Sequence, residues 1–306
     1  MALPVLAATQ IATAIPDITI TGTERRGGQK LVFPCEIAGH PWALKLMLAQ
    51  PTQPAGVDPA DSSVESFDPV TARARREVAI MYECQSPHLV KLGPLPLAQV
   101  DIEGQSIIYF TEEWIDGQDL AEILRVDGTL SVEDVRRLGL HIAAAIEELW
   151  SKGHIHRDIK PGNIMRREAN GDFVLLDMGL AFDLQAQSIS SPGTTPGTMI
   201  YFSPEQANVA RKRQLDFRSD LFALGIVMYE ALTSVHPFIA GAATSIEVLG
   251  QILGATPAPP STHRAAITSD FDRVILRLLA KSPHLRYKTC ERFRAALTTA
   301  RGGGVP

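Results

Sequence analysis

The chain is short of most features that would commit it to a special environment. Its three cysteines, Cys35, Cys84 and Cys290, are far apart and in no metal-ligand spacing. That excludes a disulfide scaffold or a thiolate metal knuckle and points to a reducing compartment. No Lys or Arg precedes Arg25, so the mildly apolar start lacks the charged region of a secretory signal. The longest apolar helix candidate, Leu221 to Leu232, is too short to cross a bilayer. A net charge of -5 offers no positive excess for nucleic acid. Internal repeats are absent. The expectation is a cytoplasmic protein with no membrane or nucleic-acid partner. At 306 residues, 45% hydrophobic and 21% charged, the chain is ordinary globular material, long enough for two lobes with separate cores.

What is there concentrates between His156 and Glu205. The stretch opens with His156-Arg157-Asp158-Ile159-Lys160-Pro161-Gly162-Asn163. It continues through Leu175-Leu176-Asp177-Met178-Gly179 to Ser203-Pro204-Glu205. Asp158, Lys160 and Asn163 fall between a helical pattern and the apolar run Phe173 to Leu176, on a loop entering a strand, where rigid neighbours can hold chemistry in place. Asp158 can orient an alcohol and accept its proton, while Asn163 and Asp177 offer hard oxygens to magnesium. That combination suits phosphoryl transfer from a nucleotide.

The string resembles the catalytic and metal-binding loops of the eukaryotic-like (Hanks-type) serine/threonine protein kinases, in a bacterial soluble member with a divergent glycine-rich loop. The resemblance implies an α+β, bilobal protein-kinase-like fold: a small antiparallel-sheet lobe with one long helix, and a larger, mostly helical lobe. The bounds it suggests are an arm at 1–16, the first lobe at 17–112, a hinge at 113–117, the second lobe at 118–300 and a tail at 301–306. Residues 1–16 are weakly patterned, and a strand, a helix and a loose arm all remain open.

The upstream residues fit this frame with departures. Ile18 to Thr21 and Leu31 to Phe33 have strand composition around a glycine turn, but aligning Val32 with the valine of GxGxxGxV puts Arg25 and Lys30 where the first and third glycines belong, leaving Gly27 in register beside Gly28. The basic side chains could hold phosphates, or could signal poor nucleotide binding. Pro41 to Leu48 alternates so that Lys45 shares a face with Ala43 and Met47. A lysine there is either an edge-protecting charge or the family's phosphate-gripping lysine. In the helical pattern Val70 to Cys84, Glu77 lies on the stripe of Ile80, Met81 and Cys84, so its carboxylate wants a cation, with Lys45 the candidate and a solvated stripe edge the alternative. Gln50 to Asp68 reads as a loop. Val100 to Phe110 reads as a hairpin leading to a hinge-like Thr111 to Gly117, with Glu113 at the usual hinge glutamate and Glu112 at the gatekeeper position. An acidic gatekeeper needs either a bulge that turns it away or a cation.

Downstream, Ser131 and Asp134 start a helix whose face is Val135, Leu138, Ile142, Ile146 and Leu149. Ser219 precedes an almost wholly apolar helix from Asp220 to Leu232, and Ile246–Leu253, Phe271–Ala280 and Glu291–Ala300 read as three more. By resemblance, Asp220 bonds the catalytic-loop backbone and Arg286 pairs with Glu205. The implied catalytic set is Asp158, Lys160, Lys45 and Glu77. Nucleotide contacts are Gly27, Gly28, Val32, Ala43, Lys45 and Glu113, and metal ligands are Asn163 and Asp177. His156, Arg157, Gly179, Thr194, Thr195, Thr198, Glu205, Asp220 and Arg286 are structural or regulatory, with Thr194 or Thr195 as autophosphorylation sites that Arg157 could receive. The implied cofactors are ATP and Mg²⁺, with Mn²⁺ as the alternative ion. The implied partner is a protein carrying Ser or Thr, or a second copy of the chain in trans. Lys160 and Thr198 fit the Ser/Thr pattern. The competing reading is a pseudokinase that works as a binding scaffold.

Overall fold

The computed structural model describes residues 6–27, 30–49, 68–178, 182–183, 199–207 and 215–302. The chain divides into two compact units, Met1–Glu83 with Val90–Trp114, and Cys84–Leu89 with Ile115–Pro306.

The first unit is built on an antiparallel sheet. Strands β1 (Thr19–Ile20), β2 (Arg25–Gly27), β3 (Lys30–Ile37), β4 (His40–Leu48), β5 (Ala98–Ile102) and β6 (Gln105–Glu113) lie in the order β1–β3–β4–β6–β5, with β2 also paired to β3. Ala38 and Gly39 close the β3–β4 hairpin, both at positive φ (50° and 79°), the mirror-image turn that suits strand twist. The pairing puts Val32 opposite Lys45 and Phe110 on the other side of Lys45, so these residues share one face of the sheet.

The opposite face carries Leu31, Phe33, Cys35, Leu44 and Leu46, and this is where the N-terminal residues go. Ala8–Ala14 forms helix α1, and Leu6, Ile11, Ile15 and Ile18 join those strand residues in one apolar core. Of the possibilities a strand, a helix and a loose arm, the structure shows a helix for Ala8–Ala14, and it covers this face of the sheet. It also explains why β4 is buried on both faces from Ala43 to Met47 rather than alternating between core and solvent. Helix α2 (Pro69–Glu83) starts with Asp68 accepting the N–H groups of Val70 and Thr71 (2.9 and 3.2 Å) and with Pro69 where a missing N–H does no harm. It buries Val70, Ala74, Glu77, Ile80 and Met81.

The second unit is mostly helical. Helix α3 (Leu120–Asp127) is capped by Asp119, and α4 (Val132–Ser151) by Ser131, which accepts from Asp134 N at 3.0 Å. The buried side of α4 includes Val135, Leu138, Ile142, Ile146 and Leu149. Strands β7 (Gly117–Asp119), β9 (Ile164–Arg167) and β10 (Phe173–Leu175) form a small sheet in the order β10–β9–β7, while β8 (His154–Ile155) pairs with β11 (Phe182–Asp183). Gly117 is required where β7 meets β9, because a Cβ there would lie 2.0 Å from the Arg166 carbonyl oxygen. After the short α5 (Pro204–Ala207) come α6 (Phe217–Thr233), α7 (Ser245–Gly254), α8 (Ser269–Leu278) and α9 (Cys290–Thr299).

Helix α6 begins earlier than its sequence suggests. Asp216, not Ser219, is the cap, accepting from Arg218 N at 2.8 Å, and this adds a first turn ahead of Asp220. The helix is buried nearly all round and packs against α4 and α8. No helix among the described residues is long and apolar enough to cross a membrane.

Candidate active site

In the first unit the chemistry centres on Lys45. Its ammonium lies 2.9 Å from Glu77 Oε1, delivered by α2, and 2.7 Å from Glu112 Oε2, delivered by β6. The Glu77 contact is a hydrogen bond. The Glu112 contact is an ion pair. Nζ also sits 5.6 Å from the centre of the Phe110 ring. Glu77 has a second cation, Lys30, whose Nζ is 2.8 Å from Oε2. Among the described residues four charges therefore run Lys30, Glu77, Lys45, Glu112 in alternating sign, and the last three are almost completely buried. Buried ions are tolerated only when paired in this way. Burial pushes the Glu112 carboxyl above the ordinary glutamate range. Lys45 opposes that rise, Glu77 adds to it, and Lys30 opposes it.

Two features of this cluster bear on the sequence reading. The β4–β6 ladder runs without interruption from Trp42↔Glu113 to Leu48↔Ile107, so no bulge turns Glu112 away, and pairing with a cation is how this acidic side chain is accommodated. The Lys30–Glu77 contact spans 47 positions and has no local signal. Its only trace in the sequence is a lysine where a glycine belongs. Val32 and Ala43 lie on the Lys45 face, Gly27 ends β2, and the Glu113 N–H is committed to the Lys91 carbonyl at 2.8 Å.

In the second unit the polar groups converge on the loop between β8 and β9. The Asp158 carboxylate takes Lys160 Nζ on both oxygens (3.1 and 2.9 Å) and Asn163 Nδ2 on Oδ2 (2.9 Å). Asn163 Nδ2 also donates to the Asp158 carbonyl at 2.8 Å. Both neighbours of Nδ2 are acceptors, which fixes the amide orientation and leaves Oδ1 as an oxygen that could meet a cation. The loop is clamped from behind by Asp220, whose carboxylate accepts His156 N and Arg157 N at 2.8 Å each. Burial raises the Asp220 carboxyl above its ordinary range, against the pull of the His156 and Arg157 contacts. Arg157 occupies a left-handed backbone conformation (φ 68°), fixed on its other side by Gln206 Nε2 donating to its carbonyl at 3.1 Å.

His156 ties this loop to the strand that leads to Asp177. Its Nδ1 accepts the Asp158 N–H at 3.3 Å, so Nε2 carries the proton and donates to the Leu176 carbonyl at 2.9 Å. Leu176 N in turn donates to the Asn163 carbonyl at 2.8 Å. With both sides of Leu176 anchored to the loop, the next residue, Asp177, is placed beside it, itself at positive φ (59°). Carboxylate and amide oxygens from Asp177 and Asn163 are the hard donors that a small divalent cation prefers.

Farther from this loop, Glu205 and Arg286 form a buried bidentate pair with N–O distances of 2.6 and 2.9 Å, and Ser219 Oγ donates to Glu205 Oε1 at 2.7 Å. Ser219, read from sequence as standing ahead of its helix, is thus a partner of Glu205. Gly28, Gly179, Thr194, Thr195 and Thr198 lie outside the described residues.

Comparison with known proteins agrees with this geometry. The family model described as "Protein kinase domain" matches residues 60–296, well over half of the chain. A probable serine/threonine-protein kinase PknB of Bifidobacterium longum is 33% identical over 240 residues, covering 77% of this chain and 34% of the relative. PknB of Mycobacterium leprae is 33% identical over 235 residues (76% and 36%), and PknE of Mycobacterium tuberculosis 33% over 241 residues (78% and 40%). The chain spans about a third of the length of these curated relatives. From the converging polar loop, the lysine–glutamate pair and the extent of the match, the chain belongs to the protein kinase domain family.

Proposed function

We propose that the protein transfers the γ-phosphate of ATP to serine or threonine hydroxyls of protein substrates. The observation that carries this is Asp158: a nearly buried carboxylate held by Lys160 and Asn163 on a loop that Asp220 anchors. Asp158 orients the acceptor hydroxyl and takes its proton, and Lys160, already on that carboxylate, offsets charge on the transferring group. Asn163 Oδ1 and Asp177 would hold the divalent ion, Mg²⁺ or Mn²⁺, which when bound neutralises phosphate charge. Lys45, positioned by Glu77, meets the α- and β-phosphates. Lys160 two residues past Asp158 supports an alcohol acceptor on a protein rather than tyrosine or a small molecule.

Incubation with labelled ATP, Mg²⁺ and a generic basic protein tests the reading. Asp158→Asn is expected to lower transfer by at least ~10²-fold, the scale of positioned acid–base help, while nucleotide still binds. Undiminished turnover in that variant removes Asp158 from the mechanism. The same reading places trans autophosphorylation at Thr194 or Thr195, and peptide mass spectrometry after incubation with ATP checks it.

A further inference from the structure

The two departures of this chain from the kinase pattern lie in one charge cluster. Lys30 stands where the third glycine of the phosphate loop belongs, and Glu112 stands at the gatekeeper position. Among the described residues they flank the Glu77–Lys45 pair, giving the row Lys30, Glu77, Lys45, Glu112. An ordinary lysine–glutamate pair is neutral. Adding Glu112 alone would leave this face of the sheet with an excess negative charge, nearly buried and meant for a triphosphate. Adding Lys30 returns the sum to zero. Lys30 engages the Glu77 oxygen that Lys45 does not use, so each of the two inner groups has a partner on both sides. The strand register keeps the cluster together: Lys30 is opposite Met47, and Lys45 lies two residues back along the same face.

We propose that Lys30 and Glu112 are a matched pair: Glu112 draws on the charge of Lys45, and Lys30, acting through Glu77, restores it for the phosphates. Lys30 is then a positioning residue of the nucleotide site, and the two substitutions depend on each other. This rests on the kinase reading for its ligand, but its test is binding rather than turnover. Without Lys30 these four described groups sum to −1 where a phosphate chain approaches. Without Glu112 they sum to +1. Losing both returns the ordinary neutral pair.

The experiment is a double-mutant cycle on the full chain, reading the dissociation constant of Mg·ATP by displacement of a fluorescent nucleotide, with KM for ATP and kcat alongside. Lys30→Met is expected to weaken binding about tenfold, the scale of one charge-assisted contact, and to raise KM with little change in kcat. Lys30→Arg rescues it. Glu112→Gln binds as well as the parent or better, and Lys30→Met/Glu112→Gln returns to within about threefold of the parent because the pair is coupled. Lys30→Gln, which keeps a donor for Glu77, takes the place of Lys30→Met if that variant does not fold. Unchanged binding on loss of Lys30, or a double variant as weak as the lysine variant alone, overturns the pairing. A parent that binds Mg·ATP with the compensating cycle but transfers no phosphate overturns the kinase reading and leaves the pairing standing. A parent that binds no nucleotide overturns both.

Discussion

Replacing Arg286 tests the most heavily bonded side chain among the described residues of the second unit. The guanidinium is fully buried and makes two hydrogen bonds to Glu205, with others to the carbonyls of Ala280 (2.8 Å), Arg218 (2.7 Å) and Lys281 (3.3 Å). It also lies 4.7 Å from the centre of the Phe222 ring. Arg286→Met keeps much of the packing volume but strands the Glu205 carboxylate in the interior. Removing one partner of a buried ion pair costs about 3–5 kcal/mol. For a unit of about 200 residues, the size of the second one, that lowers Tm by roughly 6–20 °C, using about 2–4 °C per kcal/mol. Glu205→Gln leaves an amide to accept one bond and is expected to cost less, about 1.5–3 kcal/mol. Glu205→Met with Arg286→Met is expected to cost less than the sum of the single replacements, since neither charge is then orphaned. Acid sensitivity follows from the same pair. Burial alone would raise the Glu205 carboxyl, but the Arg286 contacts outweigh burial and hold it below the ordinary value of 4.5. A depressed carboxylate contributes its stability above the unfolded value, so the contribution is whole above pH 4.5 and is lost as pH falls through the lower folded value. Urea unfolding followed by tryptophan fluorescence, from neutral pH down to pH 3, measures each quantity. A loss under about 1 kcal/mol for Arg286→Met, well below the range for a broken buried pair, refutes the reasoning.

Three other outcomes are expected. Asp220→Ala removes the acceptor for two backbone N–H groups and releases the left-handed Arg157; at about 1–3 kcal/mol for each unsatisfied group, it lowers stability and reduces kcat more than it changes KM for ATP in steady-state assays. Ile11→Ala opens a cavity between α1 and the sheet and costs about 2–5 kcal/mol in denaturant unfolding. His236 donates from Nε2 to the Ile200 carbonyl and accepts Phe238 N on Nδ1, and burial pushes it down to about 4. Its contribution is therefore full above the unfolded value of 6.5 and is lost on acidification toward pH 4, up to about 3 kcal/mol, with a flatter pH–Tm profile for His236→Gln.

Much of the second unit was legible in the sequence because its signals are local. Ser131 caps α4, the i, i+3, i+4 stripe from Val135 to Leu149 is its buried side, and the polar loop from His156 to Asn163 sits just ahead of β9. The start of α6 was misplaced because Ser219 and Asp216 are both competent caps, and Ser219 is spent on Glu205 by a contact that local spacing cannot show. The first unit was harder. Residues 8–14 carry no strong period, and their helix is explained by what Ile11 and Ile15 cover on β3 and β4, a long-range condition. Lys30 reads from sequence as a basic side chain in the phosphate loop, because its partner, Glu77, lies 47 positions away on α2.

The cover that α1 gives the sheet also governs where this chain can be cut. A fragment trimmed to the stretch matching the family model, residues 60–296, would discard α1 and strands β1 to β4, leaving α2 beside a lone β5–β6 hairpin. Two strands without partners are marginal in water, and the vacated edge of β6 would offer a template to neighbouring molecules. Such a fragment would deprive Glu77 of both lysines at once and, on this account, aggregate instead of folding.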